Sequence, residues 1–119
     1  MKRSKFVISA AGYTTRFVEG AIAQINGYWY GFEKCERYKK RGHSKYTHYR
    51  ATELSTGMSV NPEIECLTRS ECVEYCRSIS DDVEKVITSN KEHISKLKKM
   101  VRKAYEDCGM TDMVKRLYG

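Results

Sequence analysis

Ala21-Ile22-Ala23-Gln24-Ile25-Asn26-Gly27-Tyr28-Trp29-Tyr30-Gly31-Phe32 reads as two strands joined by a two-residue turn. Asn-Gly tolerates φ > 0 at both central positions, which a type I′ hairpin turn requires. After the turn Tyr28, Tyr30 and Phe32 alternate onto one face, with Trp29 and Cys35 on the other. A side-chain period of two is that of a strand. The flanking sequence extends this pair. Upstream, residues 3–9 centre on Phe6-Val7-Ile8, and Thr14 to Val18 lie between Gly12 and Gly20, giving two more strand signals. Downstream, residues 33–38 and 46–54 form a second hairpin with a basic tip, Lys39-Lys40-Arg41-Gly42. Thr56-Gly57 then turns the chain into Met58-Ser59-Val60. An antiparallel sheet of about four or five strands is expected over residues 1–61.

Beyond Pro62 the period changes. Thr68-Arg69-Ser70-Glu71 is a capping-box pattern, with Leu67 and Cys72 placed for the accompanying hydrophobic staple. The helix it opens carries Cys72, Tyr75, Cys76 and Ile79 on one side. Ser80-Asp81-Asp82 is a second helix start, its acids where the dipole favours them. From there Val83, Ile87, Asn90, Ile94, Leu97, Val101, Ala104 and Cys108 recur at alternating steps of four and three. That is a heptad seam with Asn90 as its one polar member. Gly109 suits a C′ cap, and Thr111-Asp112 opens a short last helix. A single helix from Asp82 to Cys108 would be roughly 40 Å long. The radius of gyration of a chain this size is only about 13–14 Å. A rod of that length leaves part of its seam uncovered, which predicts a homodimer or higher homo-oligomer built through the long C-terminal helix. The expected fold class is α+β, in one domain over residues 1–119. An N-terminal antiparallel sheet (1–61) is followed by a helical part (68–118) with one long helix.

Lys and Arg number 22 against 15 Asp and Glu, a formal net charge of +7, with one Pro and eight Gly in 119 residues. This is the composition of a folded chain rather than a disordered one. No apolar run approaches the ~18 residues a membrane span needs. The basic start Met1-Lys2-Arg3-Ser4-Lys5 is followed by only three apolar residues, too few for a secretory leader. A cytoplasmic protein without membrane contact is expected. Cys35, Cys66, Cys72, Cys76 and Cys108 are odd in number, which favours reduced thiols. Cys72 and Cys76 could supply half a metal site. There is no Cys-x-x-Cys pair, however, and His43, His48 and His93 are scattered. Buried thiols, no metal and no cofactor are therefore expected.

Residues 33–50 hold Lys34, Arg37, Lys39, Lys40, Arg41, Lys45 and Arg50 against only Glu33 and Glu36. Tyr38, Tyr46, His48 and Tyr49 are interleaved with them. Cations beside rings suit phosphates and bases, so Arg37, Lys39, Lys40, Arg41 and Lys45 are candidate nucleic-acid contacts. Such tips also serve simply to keep a sheet edge soluble. Gly12-Tyr13-Thr14-Thr15-Arg16 groups hydroxyls, a ring and a guanidinium suited to phosphate, or is no more than a turn entering a strand. No phosphate-binding glycine loop, dinucleotide fingerprint or paired-carboxylate motif is present. Cys35 could be brought beside His48 by strand pairing, without further catalytic context. No catalytic residues are assigned and an enzyme is not expected. Asn90 is open to two readings, a register-fixing residue of the seam or a hydrogen-bonding group of a ligand site.

Short N-terminal strands followed by helices, together with Gly12-Tyr13-Thr14-Thr15-Arg16, Glu53-Leu54-Ser55-Thr56-Gly57 and the helical stretch from Thr68 to Cys108, resemble the first Thoeris anti-defence family of phage proteins. The resemblance covers most of the chain in layout and maps no ligand residue position by position. It implies a non-enzymatic oligomer that sequesters cyclic ADP-ribose isomers, with cyclic oligonucleotides as a second class, in the cytoplasm of an infected bacterium. Under that reading Arg16, Arg102 and Arg116 would meet phosphate. Tyr13, Tyr75 or Tyr105 would stack, Thr14 would add a hydroxyl, and Asn90 would read base or ribose. The alternative function is a basic nucleic-acid-binding module, or an inhibitor of a nuclease or CRISPR complex.

Overall fold

The computed structural model describes residues 1–38 and 44–119. Five antiparallel strands, β1 (Lys2–Ala10), β2 (Thr14–Ile25), β3 (Tyr28–Tyr38), β4 (Lys45–Glu53) and β5 (Met58–Ser59), lie in sequence order in one sheet. Four helices follow: α1 (Arg69–Ser78), α2 (Ser80–Ser89), α3 (Lys91–Asp107) and α4 (Thr111–Tyr118). The α+β class and the N-terminal sheet are as the sequence predicts. Asn26 and Gly27 both have positive φ, 50° and 88°, so the β2–β3 turn is the one the dipeptide announces. The basic tip Lys39-Lys40-Arg41-Gly42 lies outside the described residues.

The two segments expected on either side of Gly20 form one twelve-residue strand. Its first half pairs with β1 alone, and pairing with β3 begins at Ala21↔Phe32. Gly20 stands where β3 comes in, and a Cβ there would lie 2.1 Å from the Phe32 carbonyl oxygen. Only glycine permits that approach. The sheet curls, and the outer edge of β1 is closed by two groups. The Ser9 N–H donates to the Gly57 carbonyl at 2.8 Å, and the Val7 N–H to the Tyr105 hydroxyl at 2.8 Å.

The buried residues form two clusters. Phe6, Val7, Ile8 and Ile22 pack with Leu54, Val101, Tyr105 and Met113. The Phe6 ring rests on Gly31, where a Cβ would come within 2.6 Å of it. In the second cluster Tyr30, Phe32 and Ala51 pack with Cys66, Cys72 and Cys76. All five cysteines are free thiols. Burial pushes the Cys66 thiol up to about 11, and Cys72 is raised in the same direction by a hydrogen bond with the Cys76 thiol and by burial.

The long helix of the sequence reading is divided. Asn90 has φ −120° and ψ 71°, outside the helical region, and its side chain accepts the His93 N–H at 3.4 Å. It therefore caps α3 instead of sitting in a seam, because a short polar side chain that can replace a lost backbone bond favours a helix start over a helix interior. A second break at Ile79 separates α1 from α2. Within α3 the buried stripe is Ile94, Leu97, Val101 and Tyr105, a 3.6-residue period; Cys108, expected in the seam, is exposed. That stripe is covered by its own chain, which removes the geometric reason for a partner helix. The α3 C-terminus closes as expected. Gly109 has φ +70°, its N–H bonds Glu106, and the Met110 N–H bonds Tyr105 at 2.9 Å, a Schellman arrangement. At α1, Thr68 caps the Glu71 N–H at 3.1 Å, and Glu71 reaches back to the Leu67 N–H. Leu67 is 56% exposed, so the expected staple with Cys72 does not form.

Candidate functional site

Lys91, Ser95, Lys98 and Arg102 are spaced by four, three and four residues, so they line up on one face of α3. This face lies beside the buried stripe. Ile87 and Ile94 form the apolar floor of a groove of about 430 Å³, with Lys99 and Tyr118 completing its wall. Four cations line it and, among the described residues, no carboxylate does. Its volume falls within the ~300–1,000 Å³ of small-molecule sites. Tyr118 is held by its hydroxyl, which donates to the Ser55 carbonyl at 2.8 Å, and burial raises its pKa. Arg102 lies 5.8 Å over the Tyr118 ring and pairs with Glu106 at 3.0 Å. The groove can attract and orient phosphate groups. Among the described residues its lining offers no nucleophile or general base beyond amines and the hydroxyls of Ser95 and Tyr118.

Other candidates of the sequence reading lie elsewhere. Tyr13, at φ 57° in the β1–β2 turn, bonds His93 Nδ1 at 2.9 Å, with Lys96 Nζ 5.9 Å from its ring. The Thr14 hydroxyl donates to the Ala11 carbonyl at 3.5 Å, and Arg16 is an exposed residue of β2 paired with Ile8. Tyr75 borders an apolar cleft of about 220 Å³ between β5 and the helices α1 and α2. Arg116 lies 5.0 Å over the Trp29 ring. Asn90 is occupied as a cap. Tyr105 is fully buried, stands edge-on to Phe17 at 5.9 Å and accepts the Val7 N–H, so no ring face is open for stacking. Only Arg102 of the set belongs to the groove. Lys91, Ser95, Lys98, Lys99 and Tyr118 were not among the expected ligand residues, although the helical spacing of the first three with Arg102 is visible in the sequence.

Glu53 explains the stretch Glu53-Leu54-Ser55-Thr56-Gly57. The buried carboxylate accepts the Ser55 and Thr56 hydroxyls at 2.9 and 2.8 Å and their N–H groups at 3.0 and 3.2 Å. A buried charge needs such saturation. The turn it stabilises supplies the carbonyls that Tyr118 and Ser9 bond, so the motif is used for building.

The chain matches no family model, no curated protein and no solved structure. The candidate site therefore rests on its own geometry.

In the β3–β4 hairpin the sheet opens into two ribbons, since β3 beyond Phe32 pairs only with β4. Arg37 and Lys45 are exposed there, with Lys45 near Glu36 and 5.4 Å over the Tyr38 ring. Lys39, Lys40 and Arg41 lie outside the described residues. Cys35 and His48 are direct cross-strand partners. The Cys35 thiol nevertheless sits against Glu33 and Arg50, and burial raises its pKa, which disfavours the thiolate a nucleophile needs. Among the described residues no group of three His, Cys, Asp or Glu side chains is arranged to hold a metal. Among the described residues no helix is long and apolar enough to cross a membrane.

Proposed function

We propose that the protein binds a phosphate-bearing nucleotide in the groove of α3 and holds it without chemical change. The observation that carries this is the convergence of Lys91, Lys98, Lys99 and Arg102 over the apolar floor of Ile87 and Ile94. Ammonium and guanidinium groups meet the phosphates, the floor takes an apolar ring edge, and Ser95 offers a hydroxyl. The resemblance to the Thoeris anti-defence family narrows the ligand to cyclic ADP-ribose isomers and the role to sequestration of an immune signal. A homo-oligomer in which a second copy roofs the open groove belongs to the same reading, with the ligand and not the apolar stripe as its cause.

The test is thermal unfolding with ADP, ADP-ribose, cyclic ADP-ribose and a single-stranded oligonucleotide, each added separately. Ligand at a hundredfold its Kd adds about 2.7 kcal/mol to stability. A rise in Tm with the ADP-ribose compounds, lost in Lys98→Glu/Lys99→Glu, and recovery of unaltered ligand support the reading. No shift with any nucleotide overturns it, and altered ligand overturns the non-enzymatic part.

A second reading has its own observation, the free cationic ribbon of β3 and β4. A two-stranded ribbon of that kind fits a nucleic-acid groove. Binding would then fall steeply with salt through counterion release, weaken in Arg37→Ala/Lys45→Ala, and survive the α3 substitutions.

A further inference from the structure

Beside β4 lies a second cleft, of about 290 Å³, that the nucleotide reading does not use. Arg37, His48, Arg50, Ser59, Glu63 and Glu65 line it. Two polar atoms of this wall are buried without a hydrogen-bond partner among the described residues, Arg50 Nε and Ser59 Oγ. The strand register explains their proximity. Ser59 pairs with Thr52, and Thr52 and Arg50, two residues apart on β4, share a face. An unpartnered buried donor costs roughly 1–3 kcal/mol, and more when it belongs to a charged group, so two together mark a place where an acceptor belongs.

The charges around the cleft say what kind of acceptor. The other end of the guanidinium is already taken: Arg50 Nη2 lies 3.0 Å from Glu33 Oε1 and 3.8 Å from Cys35 Sγ. Glu33 thus neutralises Arg50 through Nη2, while the buried Nε–H has no acceptor among the described residues. Across the rest of the lining, Arg37 is the one further fixed cation among the described residues, against the two carboxylates of Glu63 and Glu65. A polyphosphate would meet two carboxylates here, in contrast to the α3 groove. A molecule with one oxyanion and one ammonium offers the acceptor that the two unpartnered donors lack and the cation that the two carboxylates favour. The volume lies at the small end of the ~300–1,000 Å³ range of ligand sites, which also suits a compact guest.

We propose that this cleft binds a free amino acid, its carboxylate accepting from Arg50 Nε and Ser59 Oγ and its ammonium facing Glu63 and Glu65. The site is independent of the nucleotide groove and stands or falls separately from it.

The experiment follows the Arg50 Nε–H resonance in ¹H–¹⁵N spectra of the intact protein. Each common amino acid is titrated singly, with acetate and inorganic phosphate as comparison probes. The expected result is a saturable shift with at least one amino acid and a markedly weaker response to acetate and phosphate. Ser59→Ala and Glu63→Gln, both mild changes outside the core, should each weaken that response about tenfold, the worth of one hydrogen bond or charge contact. Lys98→Glu/Lys99→Glu should leave it unchanged. An equal shift with acetate removes the ammonium half and overturns the assignment. A response to phosphate alone makes the cleft an anion site and also overturns it. No shift with any probe means that water meets both donors, and the proposal fails.

Discussion

Tyr105 shows how much of this fold hangs on single side chains. Its hydroxyl takes the Val7 N–H on the outer edge of β1, where among the described residues no further strand supplies an acceptor. Tyr105→Phe keeps the ring and leaves that buried donor unmet. The expected loss is about 1–3 kcal/mol, read as a lower urea midpoint at unchanged slope. The same residue gives a pH prediction. Burial pushes the Tyr105 hydroxyl from its ordinary 10.0 up to about 12, so the folded state holds a proton that the unfolded state releases first. Its stabilising contribution is complete below pH 10, and it is lost as pH rises toward 12. Cys66 and Tyr28 are raised in the same direction, so alkaline unfolding is expected in the wild type. In Tyr105→Phe the decline between pH 10 and 12 should be shallower, as measured by denaturant titrations at stepped pH. Gly31 is the second such position. Gly31→Ala drives a methyl into the Phe6 ring, an overpacking expected to cost about 1–3 kcal/mol. Combining it with Phe6→Leu should cost less than the sum of the two single changes, since the shorter side chain vacates the contested space; strict additivity would contradict the contact.

At the scale of elements, the turns were legible and the helix lengths were not. Asn26-Gly27 and Gly109 need backbone conformations that few residues adopt, so the sequence announces them directly. Gly20 marks a close approach, but nothing local says that the chain on both sides is one strand; that depends on β3 arriving from elsewhere. The run from Val83 to Cys108 failed for a related reason. Heptad spacing persists across Asn90, and Asn serves equally as a seam residue or as a cap. What decides is whether the two halves find covering surface in one direction or two, which is a tertiary fact. The two alternatives differ in sign under mutation. In a continuous helix Asn90→Ala would stabilise, because Ala is the better interior residue. At the observed cap it should destabilise by about 0.5–2 kcal/mol, with no gain of helical signal in circular dichroism. A rise in both helicity and Tm would restore the single rod.

On the scale of the whole molecule, charge was legible and its grouping was not. Net charge and the basic hairpin can be counted from the sequence, yet the groove needs α2, α3 and α4 to converge, and the cleft at Arg50 needs β5 to lie against β4. Neither convergence leaves a local motif, which is why the candidate residues Tyr13, Arg16, Tyr75 and Arg116 fall on separate parts of the surface. Assembly follows the same logic. The expectation of a dimer rested on an uncovered apolar seam, and in the folded chain Ile94, Leu97, Val101 and Tyr105 are all buried against their own sheet and helices. Without that seam no large apolar face of α3 is left to drive pairing, and the groove beside it is lined by like charges that repel a second copy. The free protein should therefore scatter as a single chain, with a radius of gyration near the 14.5 Å of its Cα trace plus a hydration layer, independent of concentration. A compact dimer would give about 18 Å. Adding a dianionic nucleotide removes the repulsion between facing grooves, so growth in size only on ligand addition would place the second copy over the groove. Growth in its absence would return the interface to the helix stripe and require that Ile94 be exposed.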